Sequence, residues 1–353
     1  MEKKKIAVIP GDGIGKEVVP AALKVLEVVS QLNEDLQFDF TEFPWGSEFY
    51  LKTGEMMPKD GLETLRDFDA VFLGAVGDPE RVPDHISLWG LLIQIRRGFQ
   101  QTINLRPARY FQGLDSPLKN PNGFDIVVVR ENSEGEYSDS GGRIHHGEDE
   151  IVIQNAIFTR KRTESVMRYA FQLAEKRRKS VTSATKSNGL VHSMPFWDEV
   201  FAEVSEDFTH INTKKIHIDA LAAMFVTNPE SFDVVVASNL FGDILTDIGG
   251  AIMGSIGMAP SANINVTGEY PSMFEPVHGS APDIAGKNIA NPIGQIWTAK
   301  MMLDHFGKQA LGEKVLQAIE NVTKQGCKTP DIGGSCSTTE VTDEICRNLQ
   351  NLI

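Results

Sequence analysis

The stretch IAVIPGDGIG, residues 6–15, decides how the start of the chain folds. Four apolar residues run into a proline and three glycines, as in a dinucleotide-binding strand and turn. The Rossmann fingerprint needs G-x-G-x-x-G, with an acidic residue about 20 positions on for the ribose. Gly11 and Gly13 fill the first two places, but Lys16 stands at the third and Gly15 arrives one residue early. The next apolar run, 36–43, offers Glu42, which lies too far along. No Gly-Lys-Ser/Thr follows, so the P-loop pattern fails as well. The stretch is a weak Rossmann signal and reads as a strand, a glycine turn and a helix entering at Ile14.

Outward from this stretch, strand-like and helix-like segments alternate, the pattern of an α/β protein. The spacing predicts a helix over 15–31, a strand over 36–43, a short helix near 59–67, a buried strand over 69–77 and a helix over 87–99. FDIVVVREN (124–132) and FDVVVASNLFGD (232–243) share one form: Phe-Asp, a valine run, then polar residues. Polar residues at the C-terminal end of a buried strand are where such sheets place ligand chemistry. GEYSDSGGRIHHGEDEIVIQNAIF (135–158) is glycine-rich and then alternates, which predicts an extended hairpin or arm. From 288 onward apolar residues recur three and four apart, as in helices.

A chain of 353 residues holds two domains or one large α/β unit. Its formal charge of −14 argues against a nucleic-acid or anionic-membrane partner. An acidic protein that works on an anion must gather its arginines locally, so arginine clusters are informative. No apolar run approaches the ~20 residues that span a bilayer. The KKK at 3–5 precedes too short an apolar run for a signal peptide. Cys327, Cys336 and Cys346 match no zinc spacing and read as reduced structural thiols of a cytoplasmic protein.

Arg96, Arg106 and Arg130 stand close in sequence. Guanidinium forks bind carboxylates bidentately, so the trio suits a dicarboxylate substrate or, equally, three separate structural ion pairs. In NLFGDILTDIGG, Asp243 and Asp247 are four apart and share one helix face. Two carboxylates there can hold Mg²⁺ or Mn²⁺, with Asp219 a third donor, or can simply complement the helix dipole. Lys186, in SATKSNGL, and Tyr137, in ENSEGEY, are either proton-transfer groups or surface residues. FEPVHGSAPDIAGKNIANP (274–292) combines His278, Asp283 and Asn291 in a glycine- and proline-rich run. Such a run cradles a nucleotide or is a long connection, and long structureless connections are uncommon unless functional.

Together these stretches resemble the isocitrate and isopropylmalate dehydrogenase family, in order from PGDGIG to TPDIGG (329–334). Within that family VPDHISLWG (82–90), VVVRENSEGEYS, VTSATKSNGL and VVASNLFGDILTDIGG are similar to the branch of tartrate and decarboxylating D-malate dehydrogenases. The resemblance implies an α/β fold of the isopropylmalate dehydrogenase type, not a Rossmann fold. It implies a large discontinuous cofactor domain (1–100 and 256–353) and a smaller central domain (101–255) for dimerisation, metal and substrate, with a dimer arm at about 136–158. It assigns Arg96, Arg106 and Arg130 to the substrate carboxylates, and Asp219, Asp243 and Asp247 to a divalent metal. Tyr137, Lys186 and Asp219 become catalytic, with Lys186 and Asp219 reaching the site of the neighbouring subunit, so that a homodimer shares its sites. Ile14, His278, Gly279, Ser280, Ala281, Asp283 and Asn291 become the NAD site, in which Asp283 repels a 2′-phosphate. K⁺ is a candidate additional cation.

Departures from the family pattern point to the substrate. Trp89 stands where isopropylmalate enzymes carry a glutamate, and Gly90 and Leu92 stand where isocitrate enzymes carry serine and asparagine. Trp89 beside Leu92 offers no polar group to a third carboxylate and little room for an isopropyl group. A four-carbon dicarboxylate, D-malate or a tartrate, is the expected substrate, oxidised and decarboxylated with NAD; 3-isopropylmalate is the alternative.

Overall fold

In the computed structural model, which describes residues 2–33, 35–119, 121 and 123–352, the opening stretch forms strand β1 (Glu2–Gly11). The charged residues at its start are largely exposed, and Ile6, Ala7, Val8 and Ile9 are fully buried. Each large side chain buried in this way contributes roughly 1.5–3 kcal/mol. The further strands are β2 (Leu36–Glu42), β3 (Ala70–Ala75), β4 (Ile103–Arg109), β5 (Asp125–Glu131), β6 (Gly141–Ile144), β7 (Ile151–Gln154), β8 (Ser180–Thr185), β9 (Asn212–His217), β10 (Val234–Ala237), β11 (Pro260–Ile264) and β12 (Ser272–Pro276).

The chain divides into two units. The first comprises Met1–Gln101, Arg109–Pro121 and Gly250–Ile353. Its strands lie in the order β2-β1-β3-β12-β11, with β11 antiparallel to β12 and β1 parallel to β2 and β3, as β12 is to β3. Residues Ile6–Ile9 of β1 pair with Ala70–Leu73 of β3, so the apolar halves of both strands are buried together. A cluster of Ala7, Ile9, Val71, Leu73, Leu91 and Phe99 with Met56 and Met57 forms part of its core.

The second unit comprises Thr102–Ala108 and Asn122–Gly249. Its strands lie in the order β4-β5-β10-β8-β9, with β5, β10, β8 and β9 parallel. The two valine runs pair directly, Val127–Val129 against Val234–Val236. The helix Arg160–Glu175 buries Thr163, Val166, Met167, Ala170, Phe171 and Ala174, a stripe at three- and four-residue spacing. From the second unit the hairpin β6–β7 projects with every strand residue exposed; Ile144 faces Ile151 in antiparallel register.

Several elements differ from the sequence expectation. The helix expected near 59–67 is Gly61–Leu65, and an unforeseen helix, Ser47–Thr53, precedes it. The buried Asp12 carboxylate sets that second helix by accepting from the Ser47 backbone N–H and hydroxyl, both at 2.8 Å. The helix expected at 87–99 is α-helix Asp84–Ser87, a π-helical turn Leu88–Leu92, then α-helix Ile93–Gly98. FDVVVASNLFGD is strand only over Val234–Ala237 and helix from Asn239. The C-terminal helical region begins at Ile293 rather than 288, directly after Pro292, and Asn291 Oδ1 accepts from the Ile293 N–H at its start at 3.0 Å. Among the described residues no helix is long and apolar enough to cross a membrane.

Candidate active site

Asp243 is the hub of the second unit. It stands on the helix Asn239–Met253, which follows directly on β10. Its Oδ1 accepts from Arg106 Nη1 on β4 at 3.0 Å and from Arg130 Nη1 on β5 at 2.8 Å. Its Oδ2 accepts from the Tyr137 hydroxyl at 2.9 Å. Arg130 is 2% exposed, a cost that a strand end tolerates only with anionic or carbonyl acceptors at hand. Asn239 supplies them: its backbone carbonyl accepts from Nε at 2.9 Å and its Oδ1 from Nη2 at 2.6 Å. Gly242 lets the Arg130 stem lie against this helix, since a Cβ there would stand 2.7 Å from Arg130 Cγ. Arg106 also donates to Thr246 Oγ1 at 2.8 Å.

The electrostatics follow from this crowding. Partial burial, with the Asp243 charge beside it, holds the Tyr137 phenol above its usual range, so it is a neutral donor at pH 7. The guanidinium of Arg130 lies 5.6 Å from the Tyr137 ring centre. Asp247, one turn on, lies at an open position, yet desolvation of its carboxyl and the Asp243 charge push it above the usual aspartate value. A cation beside the two would relieve that repulsion. Lys186 and Asp219 pair with each other at 2.7 Å, and the lysine ammonium holds Asp219 below its usual value. Among the described residues no three His, Cys, Asp or Glu side chains of one chain gather into a metal site.

The remaining predicted residues lie in the first unit. Arg96 pairs with buried Glu275, whose Oε1 also accepts from Asn263 Nδ2 at 2.6 Å. Trp89, 38% exposed, stands on the π-helical turn with the Arg97 guanidinium 4.5 Å from its ring centre. Leu92, on the same turn, packs against the core cluster. The glycine turn is stitched to the His278 loop: the Ile14 N–H donates to the Ser280 carbonyl at 2.8 Å. Gly13 has φ +53°, and a Cβ there would fall 1.9 Å from that carbonyl oxygen, so no other residue fits. Ile14 packs with Val18, Ala281 and Ala290. His278 is buried and held neutral by burial; its Nδ1 meets the Gly279 carbonyl at 3.0 Å, and its Nε2 has no hydrogen-bond partner among the described residues. Gly279 and Asp283 are exposed, and Asn291 donates to Asp331 at 3.0 Å.

Four supporting residues escape sequence reasoning: Asn239 under Arg130, Glu275 under Arg96, Asp331 under Asn291, and Asp12 under the glycine turn, where it also accepts from the Gly77 N–H at 2.9 Å. All four lie inside the quoted stretches, and a charged residue on an otherwise apolar strand is the signal for Glu275. The whole arrangement can hold an anion between two guanidinium groups and a phenol, next to carboxylates suited to a hard cation.

Comparison with known proteins agrees with this chemistry. The family model described as isocitrate/isopropylmalate dehydrogenase matches residues 5–345. A probable tartrate dehydrogenase/decarboxylase of Bacillus subtilis (strain 168) is 66% identical, covering 100% of this chain and 99% of that protein. The decarboxylating D-malate dehydrogenase of Escherichia coli (strain K12) is 54% identical, covering 98% and 99%. The crystal structure of isocitrate dehydrogenase from Methylococcus capsulatus superposes with a TM-score of 0.88 at 33% identity, covering 98% and 99%. The α/β fold is therefore that of these dehydrogenases and not the Rossmann fold, and the chain belongs to the isocitrate/isopropylmalate dehydrogenase family.

Proposed function

We propose that this chain is an NAD- and divalent-metal-dependent enzyme that oxidises and decarboxylates D-malate to pyruvate and CO₂, and that it also acts on tartrates. The meeting of Arg106, Arg130 and Tyr137 on the one carboxylate of Asp243 carries the reading, since it is a preformed anion site beside a second carboxylate. The names of the relatives at 66% and 54% identity support the substrate class.

Arg96, Arg106 and Arg130 bind the substrate carboxylates. The bulk of Trp89 leaves little room for an isopropyl group, and neither it nor Leu92, which packs on the core cluster behind the same turn, offers a donor to a third carboxylate, so a four-carbon substrate fits. Asp243 and Asp247, with Asp219 of the partner subunit, hold Mg²⁺ or Mn²⁺; their oxygen donors suit a hard cation, and the raised Asp247 favours one. When bound, the cation would supply Lewis acidity and NAD would supply the hydride acceptor. Ile14, His278, Gly279, Ser280, Ala281, Asp283 and Asn291 hold NAD. The unpartnered Nε2 of His278 and the close Gly13–Ser280 seam fit a ligand lying along this loop. The Asp283 carboxylate accepts from a ribose hydroxyl and repels a 2′-phosphate.

The partner subunit's Lys186 takes the proton of the 2-hydroxyl, with the partner subunit's Asp219 assisting. Tyr137, a neutral phenol, returns a proton to C3 once CO₂ has left. The first unit serves the cofactor; the second serves dimerisation, metal and substrate, and its exposed hairpin with Ile144, Ile151, Val152 and Ile153 clasps the partner subunit. The enzyme works in the cytoplasm, with K⁺ as an additional cation. The test is NADH formation from D-malate, the tartrate stereoisomers and 3-isopropylmalate, with NAD or NADP, with Mn²⁺ or chelator. Higher kcat/KM for D-malate or a tartrate with NAD, lost with chelator, is expected. A preference for 3-isopropylmalate overturns the substrate reading, and turnover in chelator overturns the metal.

A further inference from the structure

Two of the three cysteines meet. Cys327 follows the helix Gln309–Gln325 and Cys336 precedes the helix Thr338–Leu352, and their Sγ atoms lie 3.0 Å apart. Both are free thiols and partly exposed, whereas Cys346 is a buried free thiol. The segment between them is already closed at its neck: the Cys336 N–H donates to the Lys328 carbonyl at 2.9 Å, and the Gly334 N–H to the Thr329 carbonyl at 3.0 Å. The loop so formed carries Asp331. One of its oxygens accepts from Thr329 Oγ1, and the other from Ser255 Oγ at 2.6 Å and Asn291 Nδ2 at 3.0 Å. Asn291 in turn accepts from the Ile293 N–H at the start of the helix Ile293–His305. Opening of the 327–336 loop therefore releases a carboxylate that fastens two other segments of the first unit.

We propose that Cys327 and Cys336 are a reversible disulfide-forming pair, a covalent latch at the neck of the loop that carries Asp331. With hydrogen peroxide as oxidant the two thiols lose two electrons and two protons and form one S–S bond. The O–O bond of the peroxide breaks and two waters leave; a dithiol reductant reverses the step. Burial and the contact with Cys336 push the Cys327 thiol up to about 12. Because the two sulfurs already adjoin, closure keeps the Asp331 contacts and restricts only the open states of the loop. The pair thus raises the resistance of this region to unfolding and leaves the enzyme active.

The experiment treats the full chain with hydrogen peroxide, unfolds it in an alkylating reagent and measures its mass. The expected product has lost two hydrogens, takes up one alkyl group where the reduced chain takes up three, and yields a peptide linked from Cys327 to Cys336. It also melts a few degrees higher than the reduced protein, and dithiothreitol restores the original midpoint. Cys336→Ser and Cys327→Ser, each removing one thiol, lose both the link and the rise. Three alkylatable thiols after treatment, a link to Cys346 or to another chain, or oxidation to sulfinic acid without a link each overturns the pairing. An oxidised form that melts no higher overturns the latch.

Discussion

Asp243 spends both carboxylate oxygens on donors of its own chain, two guanidinium groups and one phenol. An incoming dicarboxylate offers the same acceptors, so the arginines exchange one anion for another at little cost in unpaired charge. Tyr137→Phe removes the phenol and keeps the ring over which Arg130 lies. Its pyruvate formation from D-malate should fall about 10²-fold, within the usual range for a positioned acid. In a single turnover NADH and CO₂ should appear ahead of pyruvate, which rapid-quench chromatography detects; unchanged pyruvate output would remove Tyr137 from proton transfer. Asp247 gives a prediction of opposite signs. Its carboxyl is raised by desolvation and by Asp243, so the folded chain keeps the proton to higher pH than the unfolded chain. The associated stability is present below the ordinary aspartate range and is lost as pH rises through the raised value. Asp247→Asn therefore melts higher than the parent protein at neutral pH without cation, yet gains nothing from added Mn²⁺. A lower midpoint, or a midpoint still raised by Mn²⁺, contradicts the assignment. At this scale the sequence exposes residues whose type and spacing are unusual, such as Asp243 and Asp247. It hides Asn239, Glu275 and Asp331, which matter only because the topology carries them under a distant charge or amide.

Regular elements are legible where one periodicity rules. The valine runs of β5 and β10 and the stripe of the helix Arg160–Glu175 are such cases. The helix Ser47–Thr53 is not, because its start is set by Asp12, 35 residues upstream. The π-helical turn Leu88–Leu92 is likewise invisible, since one extra residue per turn barely alters the apolar spacing. Yet that turn aims Trp89 outward while Leu92 packs inward, so the two residues read together from sequence face different surroundings. The hairpin is the clearest element-scale expectation. Arg143 reaches Glu150 across it at 3.3 Å, while its isoleucines and valine are exposed. Such an edge needs a covering surface or invites aggregation. Ile144→Asp with Ile151→Asp places two charges on one cross-strand pair and removes no buried contact. If the hairpin clasps a partner subunit as proposed, sedimentation analysis should find the double variant shifted toward monomer, with activity falling in parallel and the circular dichroism unchanged. A fully dimeric double variant would assign the arm another role.

For the whole molecule, composition restricts partners more than fold: a charge of −14 leaves room for an anionic substrate only where arginines gather. The first unit takes segments from both ends and also Arg109–Pro121. That third segment is set by contacts such as Ser116 Oγ to the Ile252 carbonyl at 2.6 Å, which no shift in composition announces. The Lys186–Asp219 pair poses the question of assembly. Its residues bond each other, Asp219 exposed and Lys186 half-buried, and no chain gathers three metal donors by itself among the described residues. If Lys186 serves the site of the partner subunit, two inactive proteins can repair one another. In a mixed dimer of Lys186→Met and Tyr137→Phe chains, the site built on the Lys186→Met chain has an intact Tyr137 and receives an intact lysine. The other site has neither. Random re-pairing of an equal mixture should therefore recover about a quarter of the parent activity, as expected for a two-fold dimer with shared sites. If Lys186 instead serves its own chain, each site of every mixed dimer lacks one group and mixing recovers nothing. Measuring NADH formation before and after subunit exchange separates the two arrangements, and the crossed pair Lys186→Met with Asp219→Asn supplies the control. Those two residues come from the same chain in either arrangement, so that mixture yields one site with both groups intact only when they act on different sites.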